Sequence, residues 1–331
     1  MNRTHKRWLG IAPLFDPAEG ITVLEPLNPG PGWWVGAPSV LYDEGTERFY
    51  LYYRRRKPRE LGRGTNCYIA ESRDGLEFST IWGASKEDLN TPSMEKAALV
   101  ITLEGKANLY ISYVDPADNK WRTDLIQGDR FDQLDARNAV KVFTAGDINA
   151  EGVKDPYIFI LGRLYYMILS YAPTPPRAGE LGEQMHGTAD VYNTGLTKSH
   201  TGLAVSSDGI RFRWVGDILS PGESGWDAYA ARISTLLYTP PGFTAFYDGS
   251  ASVAENYEER TGIAISLDLR KYERVTEDGP ILTSPHASGS LRYMDAITVK
   301  DQIYYYYEYA RADGSHELRI NIVPMASPDT F

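Results

Sequence analysis

Apolar positions in this chain fall in runs of strand length, separated by turn residues, and the runs come in matched pairs. A first apolar run leads into a tight turn and then into an apolar-aromatic run. The pair occurs five times, beginning at Ala37 (APSVLYDEGTERFYLYYR), Lys96 (KAALVITLEGKANLYISYVD), Asp155 (DPYIFILGRLYYMILSYA), Arg232 (RISTLLYTPPGFTAFYDG) and Asp295 (DAITVKDQIYYYYEYA). Period-two patterning shows in stretches such as Leu109-Tyr110-Ile111-Ser112-Tyr113, the mark of a strand with one face buried. The turns carry Gly, Asp or Pro, as in Asp43-Glu44-Gly45, Leu161-Gly162, Pro240-Pro241-Gly242 and Lys300-Asp301, residues that suit tight reversals. A second element follows in three copies: CYIAESRDGLEF (67–78), TGLAVSSDGIRF (201–212) and TGIAISLDLRKY (261–272). Its Asp residues are read as turn formers between a third and a fourth strand.

The five pairs are spaced by 59, 59, 77 and 63 residues. Repetition of a small sheet at this interval predicts an all-β fold, a five-bladed β-propeller with four antiparallel strands per blade. One domain then spans residues 1–331. Residues 1–32 form a lead-in, and blades begin near 33, 93, 151, 227 and 290. The chain goes up and down within each blade, so first-strand starts and second-strand ends share one face. That face collects Ala37, Lys96, Asp155, Arg232 and Asp295, together with Arg54, Asp115, Asp248 and Glu308. Crowded charges cost free energy unless they are paired or used, which makes this funnel the place to look for chemistry. The long segment 172–200 opens on Pro173-Thr174-Pro175-Pro176 and is expected to form a lid or wall over it.

Composition narrows the function. The chain has 331 residues, 42 % of them hydrophobic, with 23 Tyr and 7 Trp, which suits a strand-rich core. A formal net charge of −10 disfavours a binder of phosphate backbones; the one basic cluster, Arg54-Arg55-Arg56-Lys57-Pro58-Arg59, is short. The single Cys67 permits no internal disulfide and is expected to be a core residue. The start MNRTHKRWLGIAPLF is basic without a long apolar stretch, and no apolar run approaches ~18 residues. A cytoplasmic protein that engages neither membrane nor nucleic acid is the expectation. The five histidines are scattered, and no metal or cofactor motif is present, so none is assigned.

The segment GVKDPYIFILGRLYYMILSYA (152–172), followed by TGLAVSSDGIRF, resembles the glycoside hydrolases and phosphorylases of family 130. That family's pattern runs Gly-x-Glu-Asp-Pro-Arg, an apolar run, a Tyr-rich strand and an Ala-x-Ser-x-Asp turn. PSVLYDEGTERFYLYYR, GFTAFYDG, RTGIAISLDLRKYERVTEDGPILTSP and DQIYYYYEYARADG are similar to further family segments, so the likeness runs over about residues 34–320. The wider five-bladed superfamily, with families 43, 32 and 68, shares much of it. The departures bear on chemistry. Glu-Asp-Pro-Arg is Lys154-Asp155-Pro156-Tyr157 here, and the phosphate-binding His of the phosphorylases falls at Asp248. The essential Asp that opens blade one in families 43 and 32 falls at Ala37.

Glycoside hydrolysis requires an acid for the leaving oxygen and a base or nucleophile. The resemblance gives Asp155 the acid role, possible delivery through a sugar hydroxyl included. Its place before Pro156 implies an extended backbone. Asp248 is the base candidate, with Glu95, Asp227 and Asp295 as rivals. Arg54, Lys96, Asp227, Arg232, Arg292, Tyr293, Asp295 and Trp34 are read as substrate-binding. The implied activity is an inverting hydrolase of a β-mannoside-like or other small glycoside. The alternatives are a family 130 type phosphorylase, from which Tyr157 and Asp248 subtract two phosphate ligands, and a catalytically inactive carbohydrate-binding propeller.

Overall fold

Turn chemistry sets where each run reverses. At Leu161–Leu164 the strands are joined by Gly162-Arg163 alone, both at positive φ (57° and 69°), as a two-residue hairpin turn requires. In the Ser-x-Asp-Gly turns the Ser206 hydroxyl accepts the Gly209 N–H, and the Asp208 carboxylate accepts those of Ile210 and Arg211. Ser72 and Asp74 repeat this arrangement. These Asp residues are turn formers, held well below the usual carboxylate range first by the backbone N–H groups they accept.

The computed structural model describes residues 10–325; most of the basic start, residues 1–9, lies outside that range. The strands run in chain order. β1 (Ile21–Leu24) comes first. β2 (Trp34–Asp43), β3 (Arg48–Arg56), β4 (Asn66–Ser72) and β5 (Ser79–Ser85) form the first group. β6 (Met94–Ile101), β7 (Ala107–Val114), β8 (Trp121–Gly128) and β9 (Val140–Thr144) form the second. β10 (Ala150–Leu161), β11 (Leu164–Pro173), β12 (His200–Ser206) and β13 (Arg213–Leu219) form the third. β14 (Ala230–Thr239), β15 (Gly242–Ser250), β16 (Arg260–Ser266) and β17 (Glu273–Arg274) form the fourth, and β18 (Leu291–Val299), β19 (Gln302–Ala310) and β20 (His316–Pro324) follow. Each group is an antiparallel meander, and the second, third and fourth are separate four-stranded sheets.

The last group is completed from the other end of the chain. β1 pairs antiparallel with β20, Ile21 opposite Ile320 and Leu24 opposite Leu318. The stretch read as a lead-in thus supplies an outer fourth strand, a role that its four-residue apolar run did not advertise. A single parallel pair, Trp34 with His316, links this group to the first.

The first strands pack on one another in a cycle: β2 on β6, β6 on β10, β10 on β14, β14 on β18, and β18 on β2. Apolar side chains fill the spaces between neighbouring sheets, as where Ile69 and Trp82 meet Leu99, Leu109 and Ile111. Tyrosines staple one sheet to the next. The Tyr110 hydroxyl donates to Gly209 O (2.9 Å), and that of Tyr306 to Gly75 O (2.6 Å). Cys67 is fully buried in this packing, and burial pushes its thiol up to about 12. Among the described residues no helix is long and apolar enough to cross a membrane.

Candidate active site

Every first strand slips register near its start: between Gly36 and Ser39, Met94 and Ala97, Lys154 and Tyr157, Ile233 and Thr235, and Arg292 and Asp295. Bulges of this kind re-aim side chains. Three carry a non-glycine residue at positive φ: Ala37 (51°), Asp155 (55°) and Tyr293 (52°). The expected extended backbone at Asp155 is therefore corrected. The bulge, fastened by Asp155 N–H donating to Ser112 Oγ (2.9 Å), overrides the bias that Pro156 exerts. Strained backbone of this sort persists where surrounding structure imposes it, often at functional sites.

Asp155 is 5 % exposed, yet neither carboxylate oxygen has a hydrogen-bond partner. Lys154 Nζ stands 3.4 Å away, held near the rings of Tyr192 (4.8 Å) and Trp121 (5.3 Å). Several buried charges nearby are paired. Arg54 meets Glu95 at 2.6 Å. Arg232 pairs with Glu259, which also binds Arg292 at 2.7 Å. Arg292 binds Glu308 at 2.7 Å, and His316 Nδ1 lies 2.8 Å from the same carboxylate. Trp34 stacks on His316, 4.4 Å between centroids.

The environments separate the carboxyl groups. Burial pushes Asp248 up to about 7, against Arg232, with Glu259 adding to the rise. Both its oxygens accept the Tyr293 N–H, at 3.0 and 3.1 Å. Burial would also raise Glu95 and Glu259, but cations outweigh it. Arg54, then Lys154, hold Glu95 below the usual range. Arg232 and Arg292 bring Glu259 down to about 2. Burial raises the Tyr293 hydroxyl first, then the Asp155 and Glu95 carboxylates beside it.

Further along the same strands lies a second layer. Asp295 accepts from Val40 N–H (2.7 Å), the Thr235 hydroxyl (2.9 Å) and Ala296 N–H (3.0 Å), so it ties three first strands together. Lys96 is the charge that acts most on it. Tyr157 donates to Leu236 O at 3.2 Å in this layer.

Of the residues singled out from sequence, Arg54, Glu95, Arg232, Asp248, Arg292 and Tyr293 gather with Asp155, and Trp34 borders them. Lys96 and Asp295 belong to the second layer. Asp227 is not in the cluster: it is held by Arg274 on the outer strand β17 (2.6 Å) and by the Tyr247 hydroxyl (3.0 Å). Asp115 pairs with Arg122. The segment 172–200 is a packed wall: its α1 (Gly182–His186) and following turn bury Met185, Val191 and Tyr192 against Trp121 and Ala172. Asp190 of this wall accepts from Trp121 Nε1 (3.1 Å) and the Tyr257 hydroxyl (2.6 Å).

Glu259, His316 and Tyr192 were not singled out. Glu259 and His316 stand at the starts of third strands, which lie at the same end as second-strand finishes. Counting those positions too would have found both. Two surface clefts, of about 510 and 320 Å³, open at the opposite, turn end of the strands. Among the described residues no group of three or more His, Cys, Asp or Glu is placed to hold a metal ion.

No family model and no curated protein matches the chain. Solved structures do. A thermostable family-43 glycoside hydrolase is similar at a TM-score of 0.62 and 13 % identity, over 90 % of this chain and 91 % of that one. The β-1,2-mannobiose phosphorylase from Listeria innocua gives 0.61 and 17 %, over 92 % and 94 %. A structure described with the family 130 mannoside phosphorylases and the hydrolases among them that target β-1,2 mannosidic linkages in Candida mannan gives 0.60 and 12 %, over 96 % and 97 %. The chain has the fold of these enzymes over 90 to 96 % of its length, which meets the family 130 resemblance seen over about residues 34–320.

Proposed function

We propose that this protein is a glycoside hydrolase built on a single five-bladed propeller, with Asp155 as the acid that protonates the leaving oxygen. The five four-stranded groups, the cycle of first-strand contacts and the closure by β1 support the blade count. One observation carries the chemical reading. Asp155 is a buried carboxyl group whose two oxygens accept no hydrogen bond and whose charged neighbour Lys154 stands 3.4 Å off, while Glu259 and Glu308 around it are held by ion pairs of 2.7 Å. A buried carboxyl group with unmet hydrogen-bonding capacity in such a setting is positioned for a ligand rather than for the fold.

For the base, Glu95 suits the task better than Asp248. Arg54 and Lys154 keep Glu95 ionised at neutral pH, as a group that must take a proton from water needs to be. Asp248 is half protonated near 7, and its oxygens hold the Tyr293 bulge. An inverting reaction calls for ~6.5–9.5 Å between the acid and base carboxyl groups, leaving room for water. Arg54, Arg232, Arg292 and Tyr293 would orient sugar hydroxyls, with Trp34, stacked on His316, behind them. The buried thiol of Cys67 suits a cytoplasmic address.

Phosphorolysis is the second reading, favoured by the buried arginines; Tyr157 and Asp248 oppose it, one turned to Leu236 and the other a carboxyl group. Turnover of aryl β-mannosides and manno-oligosaccharides, with and without inorganic phosphate, decides between them. Water-dependent release of free sugar, falling at least ~10²-fold in Asp155→Asn with binding retained, is the expected result. Release of a sugar 1-phosphate only when phosphate is present would establish the phosphorylase. Saturable sugar binding without cleavage would leave a carbohydrate-binding propeller.

A further inference from the structure

One buried cation in the cluster has no counter-ion. Arg56 ends β3 on the same side as Arg54 and is 6 % exposed. Arg54 has Glu95, Arg232 and Arg292 share Glu259, and Lys154 has Asp155. Among the described residues Arg56 has no carboxylate at ion-pair distance and no side-chain hydrogen bond, and its Nη1 is buried without a partner. Its guanidinium is wedged against Trp34 at 4.4 Å and Tyr257 at 4.6 Å. Burial, and then the Arg54 charge, lower its pKa.

Aromatic faces favour a cation but accept no N–H bond in its plane. A buried guanidinium with unmet donors is costly unless something supplies acceptors. The two rings, 6.4 Å apart, flank the guanidinium without sandwiching it and supply no acceptor, so its N–H edge is what a ligand would meet. A planar two-oxygen anion matches that edge as a two-bond fork.

We propose that Arg56, with Trp34 and Tyr257, forms a subsite for the carboxylate of a uronic-acid residue, and that the natural glycoside is an acidic one. This rests on the glycoside-active reading and adds a substrate class to it. Sulfate and phosphate esters share the anion chemistry, so the test includes them.

The test is isothermal titration of the full chain with methyl β-D-glucuronide and methyl β-D-mannuronide. Each is paired with its neutral counterpart, and inorganic phosphate and sulfate are run beside them. Expected is a preference of tenfold or more for at least one acidic sugar over its neutral counterpart, weakening with added salt. Arg56→Gln should abolish the preference, the acidic sugar losing affinity relative to its neutral counterpart, and Arg56→Lys should keep part of it. Equal affinity for acidic and neutral sugars in the wild type overturns the proposal without any variant. A preference that survives Arg56→Gln overturns it too, as does Arg56-dependent binding of phosphate or sulfate alone. Binding is measured apart from cleavage. Acidic-sugar preference without turnover would therefore sink only the hydrolase reading, and turnover of neutral glycosides without preference would sink only this one.

Discussion

Replacing Arg292 with Met tests whether the buried charges are a coupled network. Arg292 is fully buried and donates to Glu308 at 3.0 and 2.7 Å and to Glu259 at 2.7 Å. Met fills much of the volume but strands part of two carboxylate charges. Glu259 keeps the Arg232 cation, and Glu308 keeps a hydrogen-bond contact with His316. Removing one partner of a buried pair costs about 3–5 kcal/mol. At ~2.1 cal/mol/K of unfolding entropy per residue, 331 residues give roughly 0.7 kcal/mol/K. The midpoint should then fall by ~4–7 °C in calorimetry. Glu308→Gln in the Arg292→Met background removes one stranded charge, so the double variant should lose less than the two single losses added.

The sign of the pH dependence follows from the carboxylates. Glu259, at about 2, and Glu308 are held below their unfolded values, and Arg292 is among the causes for both. Their stabilisation is complete above the unfolded value of ~4.3 and is lost as pH falls from there through the folded values. The part of the gap between wild type and Arg292→Met that these carboxylates carry should therefore close as pH falls below ~4. An Arg292→Met midpoint within a degree of wild type, or strict additivity in the double variant, would refute the network.

Asp248 carries the opposite sign. Its folded pKa, about 7, is above the unfolded value, so its ionisation weakens the fold as pH rises from ~4 through 7. Asp248→Asn should gain on wild type over that interval in thermal unfolding and hold a constant lead above it; a flat difference would show that Asp248 does not titrate there. Gly202→Ala puts a Cβ 1.9 Å from the Trp214 ring and should cost ~1–3 kcal/mol in denaturant unfolding. Trp214→Leu should relieve that cost, and a neutral Gly202→Ala would show that the ring moves freely.

The repeat was legible because each pair of runs is bounded by turn residues that leave the backbone few choices. Gly162-Arg163 and the Ser-x-Asp-Gly turns are local devices, and local devices are written in consecutive residues. The bulges are not. Nothing around Ala37, Asp155 or Tyr293 marks a positive φ, and Pro156 argues for the reverse at Asp155. Their geometry comes from neighbouring sheets, through bonds such as Asp155 N–H to Ser112 and Tyr293 N–H to Asp248. For the same reason Asp227 looked like a site residue: it precedes β14, but Arg274, 47 residues further on, draws it outward. β1 was hidden too, since its partner β20 lies almost 300 residues away.

These two kinds of information divide the site. First-strand starts could be placed from sequence, since a repeat brings the same position of every unit to one axis. Which of those charges is spent on the fold could not, since that depends on who faces whom across the axis. The repeat pattern set Asp155 and Asp295 at matching starts, but the bulges put Asp155 level with Tyr293 and Asp295 level with Tyr157, in different layers. Asp295 accepts three hydrogen bonds and joins three strands; Asp155 accepts none. Arg54 and Arg56 are two residues apart on one strand, and only the first has a carboxylate. A funnel whose charges were all structural would satisfy them all, because unmet buried groups cost stability and return nothing. An unmet acceptor at Asp155 and unmet donors at Arg56 occur in the same cluster. On the proposed reading, the ligand would offer hydroxyl groups to one and an anion to the other, as an acidic sugar does.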